Sequence, residues 1–159
     1  LSMKKNAKIA PVSVPELLTQ VRELTRPIME KYGTSLEITC NGDILPVDKD
    51  LMCIALVNLV ENSAKASAPG QTIRIQASEM GFTVTDHGRG IPEKDLQRVT
   101  APFYMGDPSR SKANGGFGLG LALVREIAAV HGGTLTLEST LGEGTTARIV
   151  IGNQTVTCR

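Results

Sequence analysis

The chain has 159 residues, of which 41% are hydrophobic and 21% charged, and its formal net charge is +1. This composition is typical of one globular domain and excludes a disordered chain. With so little net charge and only 3% aromatic residues, nucleic-acid binding is not expected. The sequence contains no apolar run of the roughly 18 residues needed to cross a bilayer.

Three cysteines (Cys40, Cys53 and Cys158) show no CxxC spacing and are expected to be reduced and structural. We therefore expect a cytoplasmic domain that makes no membrane contact itself. Anchoring of a longer parent protein stays open. Residues 1–8 are polar and basic and are interpreted as a tail or linker remnant. The domain would then span residues 9–152, followed by a second tail at residues 153–159.

The first part of the chain predicts short strands around one helix. Pro15 suits the first turn of a helix that ends near Gly33, and Pro27 inside that helix predicts a kink or break. Extended segments are predicted at residues 9–14, 36–40 and 44–47. Because Asn41-Gly42-Asp43 is typical of a turn, the last two strands are expected to pair with each other as a hairpin.

The central helix is predicted at residues 51–65, LMCIALVNLVENSAK, with Asp48 as its N-cap. At 3.6 residues per turn, Asn58, Asn62 and Lys65 fall on one side of this helix. Two amides and an ammonium in line suit an anionic ligand that carries a metal ion. They equally suit the solvent-exposed side of an amphipathic helix.

The second half of the chain predicts two hairpins, one short helix, a mobile loop and one long helix. These are strands at 72–78, 82–85, 134–138 and 145–151, helices at 93–100 and 119–131, and the loop at 103–118. The fold class expected is α+β. We predict a two-layer α/β sandwich, in which about three helices cover one face of a mixed, mostly antiparallel sheet.

The segment DHGRGI at residues 86–91 directly follows a predicted strand. A carboxylate at Asp86 could accept a hydrogen bond from an exocyclic amine, while Gly88 and Gly90 let the backbone approach a flat ring. An ordinary acidic turn is the alternative.

The segment GGFGLGL at residues 115–121 lies at the entrance to a predicted helix. Gly116, Gly118 and Gly120 would let backbone N–H groups point at phosphate, which the helix dipole favours. A flexible connector is the alternative.

Several motifs in one order resemble the ATP-binding catalytic domain of sensor histidine kinases, in the superfamily of gyrase, Hsp90 and MutL (the Bergerat nucleotide fold). The resemblance extends from about Pro11 to Ile151. The matching segments are NLVENSAK at 58–65 (N box), DHGRGI at 86–91 (first glycine box), PFY at 102–104 (end of the F box), GFGLGL at 116–121 (second glycine box) and GEGTT at 142–146 (a small glycine turn).

The resemblance implies a site for ATP and Mg²⁺. Asn62 would be the metal ligand, Asn58 would assist it, and Lys65 would contact phosphate, so these three are the catalytic candidates. Asp86 would accept from the adenine amino group. The other implied nucleotide contacts are Gly88, Gly90, Ile91, Tyr104, Arg110, Lys112, Gly116, Phe117, Gly118, Leu119, Gly120, Leu121 and Thr146.

Residues 103–118 would form a lid over the nucleotide, in which Arg110 and Lys112 either approach the phosphates or are solvated charges. Three positions depart from the family pattern: Ala66 replaces a ring residue, Thr100 replaces a Phe, and His87 replaces an Asn. His87 is interpreted as a turn residue. His131 is interpreted as a capping or dipole-compensating residue at a helix C-terminus.

ATPase relatives carry a Glu where this chain has Asn58, and an amide cannot accept a proton from water, so hydrolysis would be poor. Glu61 is interpreted as a surface residue. The resemblance implies a protein-histidine kinase domain that donates the γ-phosphoryl group to a histidine on its own upstream dimerisation domain. The full-length protein would be a homodimer that serves a response regulator. An anti-sigma-factor-type serine kinase and a nucleotide-sensing module stay open as alternatives.

Overall fold

The computed structural model describes residues 2–99 and 117–152. The helices and strands alternate in short runs along the chain. They are α1 (Ser2–Asn6), β1 (Ala10–Ser13), α2 (Val14–Tyr32), β2 (Ser35–Cys40), β3 (Ile44–Val47), α3 (Lys49–Ala66), β4 (Thr72–Ser78), β5 (Gly81–Thr85), α4 (Glu93–Val99), α5 (Phe117–Val130), β6 (Thr134–Thr140) and β7 (Gly144–Val150).

The main sheet has five strands in the order β2-β4-β5-β7-β6. Its neighbouring strands are antiparallel except for β2 and β4, which are parallel. Alternate residues of β4 (Ile73, Ile75 and Ala77) are buried, whereas their neighbours are exposed. Helix α2 lies against β2, α3 against β4 and β5, and α5 against β6. The expected two-layer α+β sandwich is confirmed.

The hairpin expected between the strands at 36–40 and 44–47 is wrong. Strand β3 pairs antiparallel with β1 in a separate two-stranded sheet, and β2 pairs parallel with β4. The reason lies in the turn between them: the N–H of Asn41 donates to the carbonyl of Ala77, and the carbonyl of Asp43 accepts from the N–H of Val14. These groups therefore hold the chain to β4 and α2 instead of closing a hairpin.

Helix α2 is amphipathic and has both predicted ends. The hydroxyl of Ser13 caps its first turn by accepting from the N–H of Glu16, and Gly33 ends it in a left-handed conformation at φ 69°. The helix runs through Pro27 without a break. Burial of Leu17, Val21 and other residues on one face outweighs the hydrogen bond that Pro27 cannot donate.

Helix α3 begins after Asp48, as predicted. One carboxylate oxygen, Oδ1, accepts from the N–H of Leu51 at 3.0 Å, and Oδ2 accepts from the N–H of Lys8 at 2.8 Å. Burial would raise the pKa of Asp48, but hydrogen bonds from the backbone N–H groups of Leu51, Lys8 and Asp50, together with the nearby His131, outweigh it, so the pKa is lowered. Of the predicted N-terminal tail, residues 2–6 form α1, and Met3 packs on the core.

Helix α5 begins at Phe117, two residues before the predicted start, so Gly118 and Gly120 lie in its first turns. Its buried residues, among them Val124 and Ile127, pack towards α3 and the sheet.

No helix in the described ranges combines the length and apolar character that a membrane crossing needs. The predicted tail at 153–159 lies outside the described residues.

Candidate functional site

A pocket lies between α3, the turn after β5, and the start of α5. Four of the residues singled out in the sequence line it together, although they come from three separate segments: Asn62, Asp86, Ile91 and Leu121. The remaining lining residues are mostly apolar: Leu59, Ser63, Ala66, Leu137, Thr145 and Ala147. The fold thus forms one cavity that has mostly apolar walls and brings Asn62 and Asp86 together from distant parts of the chain.

Asp86 follows the last residue of β5 and is only 4% exposed. Its Oδ1 accepts from the N–H of Gly88 at 2.9 Å and from the N–H of Thr145 at 3.2 Å. Within the described part of the chain both hydrogen bonds of the carboxylate end at Oδ1, so Oδ2 is available to a donor in the pocket. The carboxylate is therefore held by the backbone in one orientation.

The turn after Asp86 packs tightly against other backbone. A Cβ on Gly88 would lie 2.3 Å from the carbonyl oxygen of Ala66, and a Cβ on Gly90 would lie 2.2 Å from that of Thr140. Gly90 also has φ +76°, which favours glycine. Between them, the N–H of Arg89 donates to the carbonyl of Ala66 at 2.9 Å. These glycines let the turn fit between the end of α3 and the turn before β7.

Ser139 of β6 holds the far side of this turn. Its hydroxyl oxygen accepts from the N–H of Ile91 at 2.8 Å and lies 2.7 Å from Oγ1 of Thr145. It also donates to the carbonyl of Gly144 at 3.1 Å. One hydroxyl group therefore joins the glycine turn, β6 and β7 beside Asp86.

Thr145 lines this pocket, and the sequence reasoning did not single it out. The sequence pointed to Thr146, which pairs with Thr85 in the sheet and does not line the pocket among the described residues. Side chains of a strand alternate between two faces, and Thr145 shares its face with the buried Ala147. The position of Ala147 within an alternating strand is the signal that could have identified Thr145.

The amide face of α3 faces the first turns of α5. A Cβ on Gly120 would lie 3.3 Å from Oδ1 of Asn58, 3.7 Å from Nδ2 of Asn62 and 3.8 Å from Oδ1 of Asn62. Nδ2 of Asn58 donates to the carbonyl of Ile54 on its own helix at 2.8 Å. Asn62 is half-buried, and its Nδ2 atom is inaccessible to solvent. Lys65, at the outer end of the stripe, is paired with Glu61 at 3.5 Å, and both side chains are partly exposed.

The Nδ2 atom of Asn62 is buried without a hydrogen bond, although the residue as a whole is only half-buried. Within the residues that the structure describes, its Nδ2 is the only buried side-chain nitrogen or oxygen without a partner. Such a group costs about 1–3 kcal/mol, which a ligand could recover. Rotation of the amide by 180° would put Oδ1 at the same place, so either a donor or an oxygen ligand can be offered. This chemistry fits a hard cation held partly by ligand oxygens.

A cation held by protein alone is a poorer fit, because in the described ranges no three His, Cys, Asp or Glu side chains cluster as ligands.

His87 is exposed in the turn, as predicted, and its carbonyl accepts from Nε2 of Gln71 at 3.0 Å. Three further predicted contacts lie in the first turn of α5: Phe117, Gly118 and Leu119. The predicted contacts Tyr104, Arg110, Lys112 and Gly116, and the departure at Thr100, lie outside the described residues.

Residues 47–155 match the family described as "Histidine kinase-, DNA gyrase B-, and HSP90-like ATPase". This range covers more than half of the chain, and the chain belongs to that family. It is a domain of the kind that sensor histidine kinases carry. Because the family is one of ATPases, ATP is the nucleotide of this domain.

Two curated relatives illustrate the likeness. The sensor-like histidine kinase SenX3 of Mycobacterium tuberculosis is 41% identical over 108 residues, which cover 65% of this chain and 26% of that protein. The circadian input-output histidine kinase CikA of Synechococcus elongatus is 31% identical over 161 residues, covering 96% of this chain and 21% of that protein. The chain thus spans about a quarter of the length of these relatives.

Solved structures agree on the fold. The mycobacterial sensor histidine kinase MprB is 27% identical with a TM-score of 0.71, and the match covers 91% of this chain and 97% of that one. The catalytic domain of histidine kinase ThkA is 23% identical with a TM-score of 0.74, covering 91% and 97% of the two chains.

Proposed function

We propose that this domain binds Mg·ATP between α3, the 86–91 turn and α5, and donates the γ-phosphoryl group to a histidine on a separate dimerisation domain. The observation that carries the proposal is the buried Nδ2 of Asn62, which has no hydrogen-bond partner among the described residues, in the same pocket as the fixed carboxylate of Asp86. The folded unit for this activity would be residues 9–152.

Asp86 supplies the recognition of adenine. Its Oδ2 accepts a hydrogen from the exocyclic amino group, while Oδ1 stays bonded to the backbone of Gly88 and Thr145. Guanine carries a carbonyl oxygen in place of that amino group, and two acceptors would then face each other in a buried site. The apolar walls, among them Ile91 and Leu121, cover the ring.

Asn62 and Asn58 hold the metal end of the nucleotide. Amide oxygens are suitable Mg²⁺ ligands, and Mg²⁺ in nucleotide sites commonly keeps water and phosphate oxygens as its other ligands. When bound, Mg²⁺ neutralises charge on the phosphates. The first turns of α5 with Gly118 and Gly120 present backbone N–H groups to the phosphates, and Lys65 contributes a positive charge from the end of α3.

Transfer is favoured over hydrolysis because the described pocket offers no carboxylate placed to activate water. Asp86 is bound to backbone at the other end of the pocket, Glu61 is paired with Lys65, and Asn58 is an amide. Phosphoryl transfer depends mainly on positioning and charge neutralisation, so a kinase of this kind needs no strong base of its own.

The acceptor histidine is expected on another domain. His131 is buried and both of its ring nitrogens are hydrogen-bonded, so it is unsuitable as an acceptor. The relatives are named as histidine kinases, and the matched segments make up only 26% and 21% of their lengths. The proposed partners are therefore the protein's own upstream dimerisation domain, in a homodimer, and a response regulator.

The test is to incubate the chain with γ-labelled ATP, Mg²⁺ and the helical domain encoded upstream in the parent gene. Label on that domain that is lost in acid and kept in base supports histidine phosphorylation. Acid-stable label would instead indicate a serine kinase, and binding without transfer would indicate a nucleotide-sensing module. Omission of Mg²⁺ and the Asn62→Ala variant are the matched controls, and both should give no label.

A further inference from the structure

His131 directly follows α5 and is 7% exposed. Its Nδ1 donates to the carbonyl of Ile127 at 2.8 Å, since a carbonyl can only accept. Its Nε2 accepts from the N–H of Asp48 at 2.9 Å. Together the two bonds require the neutral ring with the proton on Nδ1. The predicted capping of the helix end is seen in the first bond, while the second bond reaches a different helix.

The second bond joins two helices that both contribute to the nucleotide pocket. Asp48 is the N-cap of α3, and His131 lies at the C-terminal end of α5. At the opposite end of the pair, Gly120 of α5 lies against Asn58 and Asn62 of α3. The helices are therefore antiparallel and meet at two polar points, which are about 16 Å apart along α5 at 1.5 Å per residue.

Between these points the contact is apolar and involves Val124, Ile127 and Ala128. Apolar packing is not directional, so it tolerates small sliding of one helix along the other better than a hydrogen bond does. At Gly120 the two helices lie close together, because the amide oxygen of Asn58 is 3.3 Å from the position that a Cβ would take there. The bond between His131 and Asp48 is a directional contact between the end of α5 and the N-cap of α3, and it favours one position of α5 along α3.

We propose that His131 is a positioning residue for the nucleotide site: its neutral ring fixes α5 against the N-cap of α3 and thereby holds Gly120 opposite Asn58 and Asn62. This inference rests on the proposed function. It adds a determinant of nucleotide affinity that lies at the far end of both helices and touches no part of the pocket.

The test uses the whole chain and calorimetry with Mg·ADP on three variants. His131→Leu removes both ring bonds, whereas His131→Gln can keep an oxygen acceptor near the position of Nε2. Ile73→Val, in buried β4 and outside the pocket, is the control for lost stability. We expect His131→Leu to weaken binding about tenfold more than the control, since small misplacement of site groups is costly, and His131→Gln to recover most of it. All affinities are compared alongside the free energy of unfolding of each variant.

Equal affinity of His131→Leu and the control, or no recovery in His131→Gln, would overturn the inference. Nitrogen NMR of the unaltered protein gives a test that needs no variant: protonated Nδ1 and unprotonated Nε2 are expected, and the opposite tautomer overturns the proposal. If the unaltered chain fails to bind Mg·ADP, the proposed function fails instead, so the two failures are distinguishable.

Discussion

Gly120 lies so close to Asn58 that a Cβ on the glycine would come within 3.3 Å of the amide oxygen. Helix α5 thus approaches the amide face of α3 at a residue without a side chain. We expect Gly120→Ala to weaken Mg·ATP binding about threefold to tenfold, because the two helices must separate slightly at the site. Folding stability should fall little or rise by up to about 1 kcal/mol, since alanine favours helix over glycine.

Calorimetry and chemical unfolding of Gly120→Ala measure the two effects separately. Ala129→Gly, at an exposed position of the same helix, is the matched control and should lower stability while affinity is unchanged. Unchanged affinity in Gly120→Ala would mean that this close approach has no part in the site.

Asn62→Ala should abolish Mg²⁺-dependent nucleotide binding while folding stability falls by less than about 1 kcal/mol, because the lost Nδ2 group makes no hydrogen bond in the described structure. Titration with ATP in the presence and absence of Mg²⁺ measures this. Asn58→Ala serves as the comparison, since it removes a hydrogen bond to Ile54 and should give the milder loss of binding. Normal phosphoryl transfer by Asn62→Ala would remove Asn62 from the metal role.

Asp86→Asn should weaken ATP binding at least about tenfold and reduce the preference for ATP over GTP. The amide can keep an oxygen towards Gly88 and Thr145, but it then presents a donor to the adenine amino group. Competition between the two nucleotides at equilibrium measures the preference. An ATP affinity equal to that of the unaltered chain would contradict the assignment of adenine to Asp86.

Thr145→Val should lower nucleotide affinity more than Thr146→Val does. The first change removes a hydroxyl group that lines the pocket and bonds Ser139, whereas Thr146 does not line it in the described structure. Both variants replace one hydroxyl group by a methyl group on neighbouring residues, so each is the control for the other. Parallel calorimetric titrations with ATP measure the difference, and equal losses would show that the pocket face of β7 is assigned wrongly.

Asp48 should contribute to acid sensitivity. Its pKa is lowered in the folded protein, so its stabilising effect is complete above its unfolded pKa of about 3.9. The effect is lost as the pH falls from there through the lower folded pKa. Asp48→Asn keeps a capping side chain that does not titrate, and should make the free energy of unfolding depend less on pH in this range. Urea unfolding between about pH 2 and about pH 5 measures the slope, and identical slopes would contradict the prediction.

Local signals in the sequence predicted the elements that depend on neighbouring residues. The helix after Asp48 and the N-cap itself follow from periodicity and one carboxylate, and the end of α2 at Gly33 follows from one glycine. The pairing of β2 with β4 was missed because strand partners are chosen by distant contacts. The hydrogen bond from Asn41 to Ala77, which a turn motif cannot reveal, is such a contact.

For the pocket, the sequence likewise predicted the residues that belong to local motifs and missed those whose position depends on the folded sheet. Asn62 and Asp86 were identified by residue type and position in a motif, and both line the pocket. The roles of Ser139 and Thr145 depend on which face of a strand points inward and on which turn lies beside it. The inward face of a strand and the turn beside it are determined only when the sheet has formed, so they could not be predicted from this single sequence.

The carboxylate and backbone N–H of Asp48 together engage three other segments of the chain, through Lys8, Leu51 and His131. Opening this junction to solvent would release the segment before β1, the first turn of α3 and the end of α5 at the same time. We therefore expect the amide hydrogens of Lys8, Asp48 and Leu51 to exchange as one cooperative unit. Protection of a residue as near to the chain start as Lys8 would then report on the anchoring of α3 and α5, which both line the pocket.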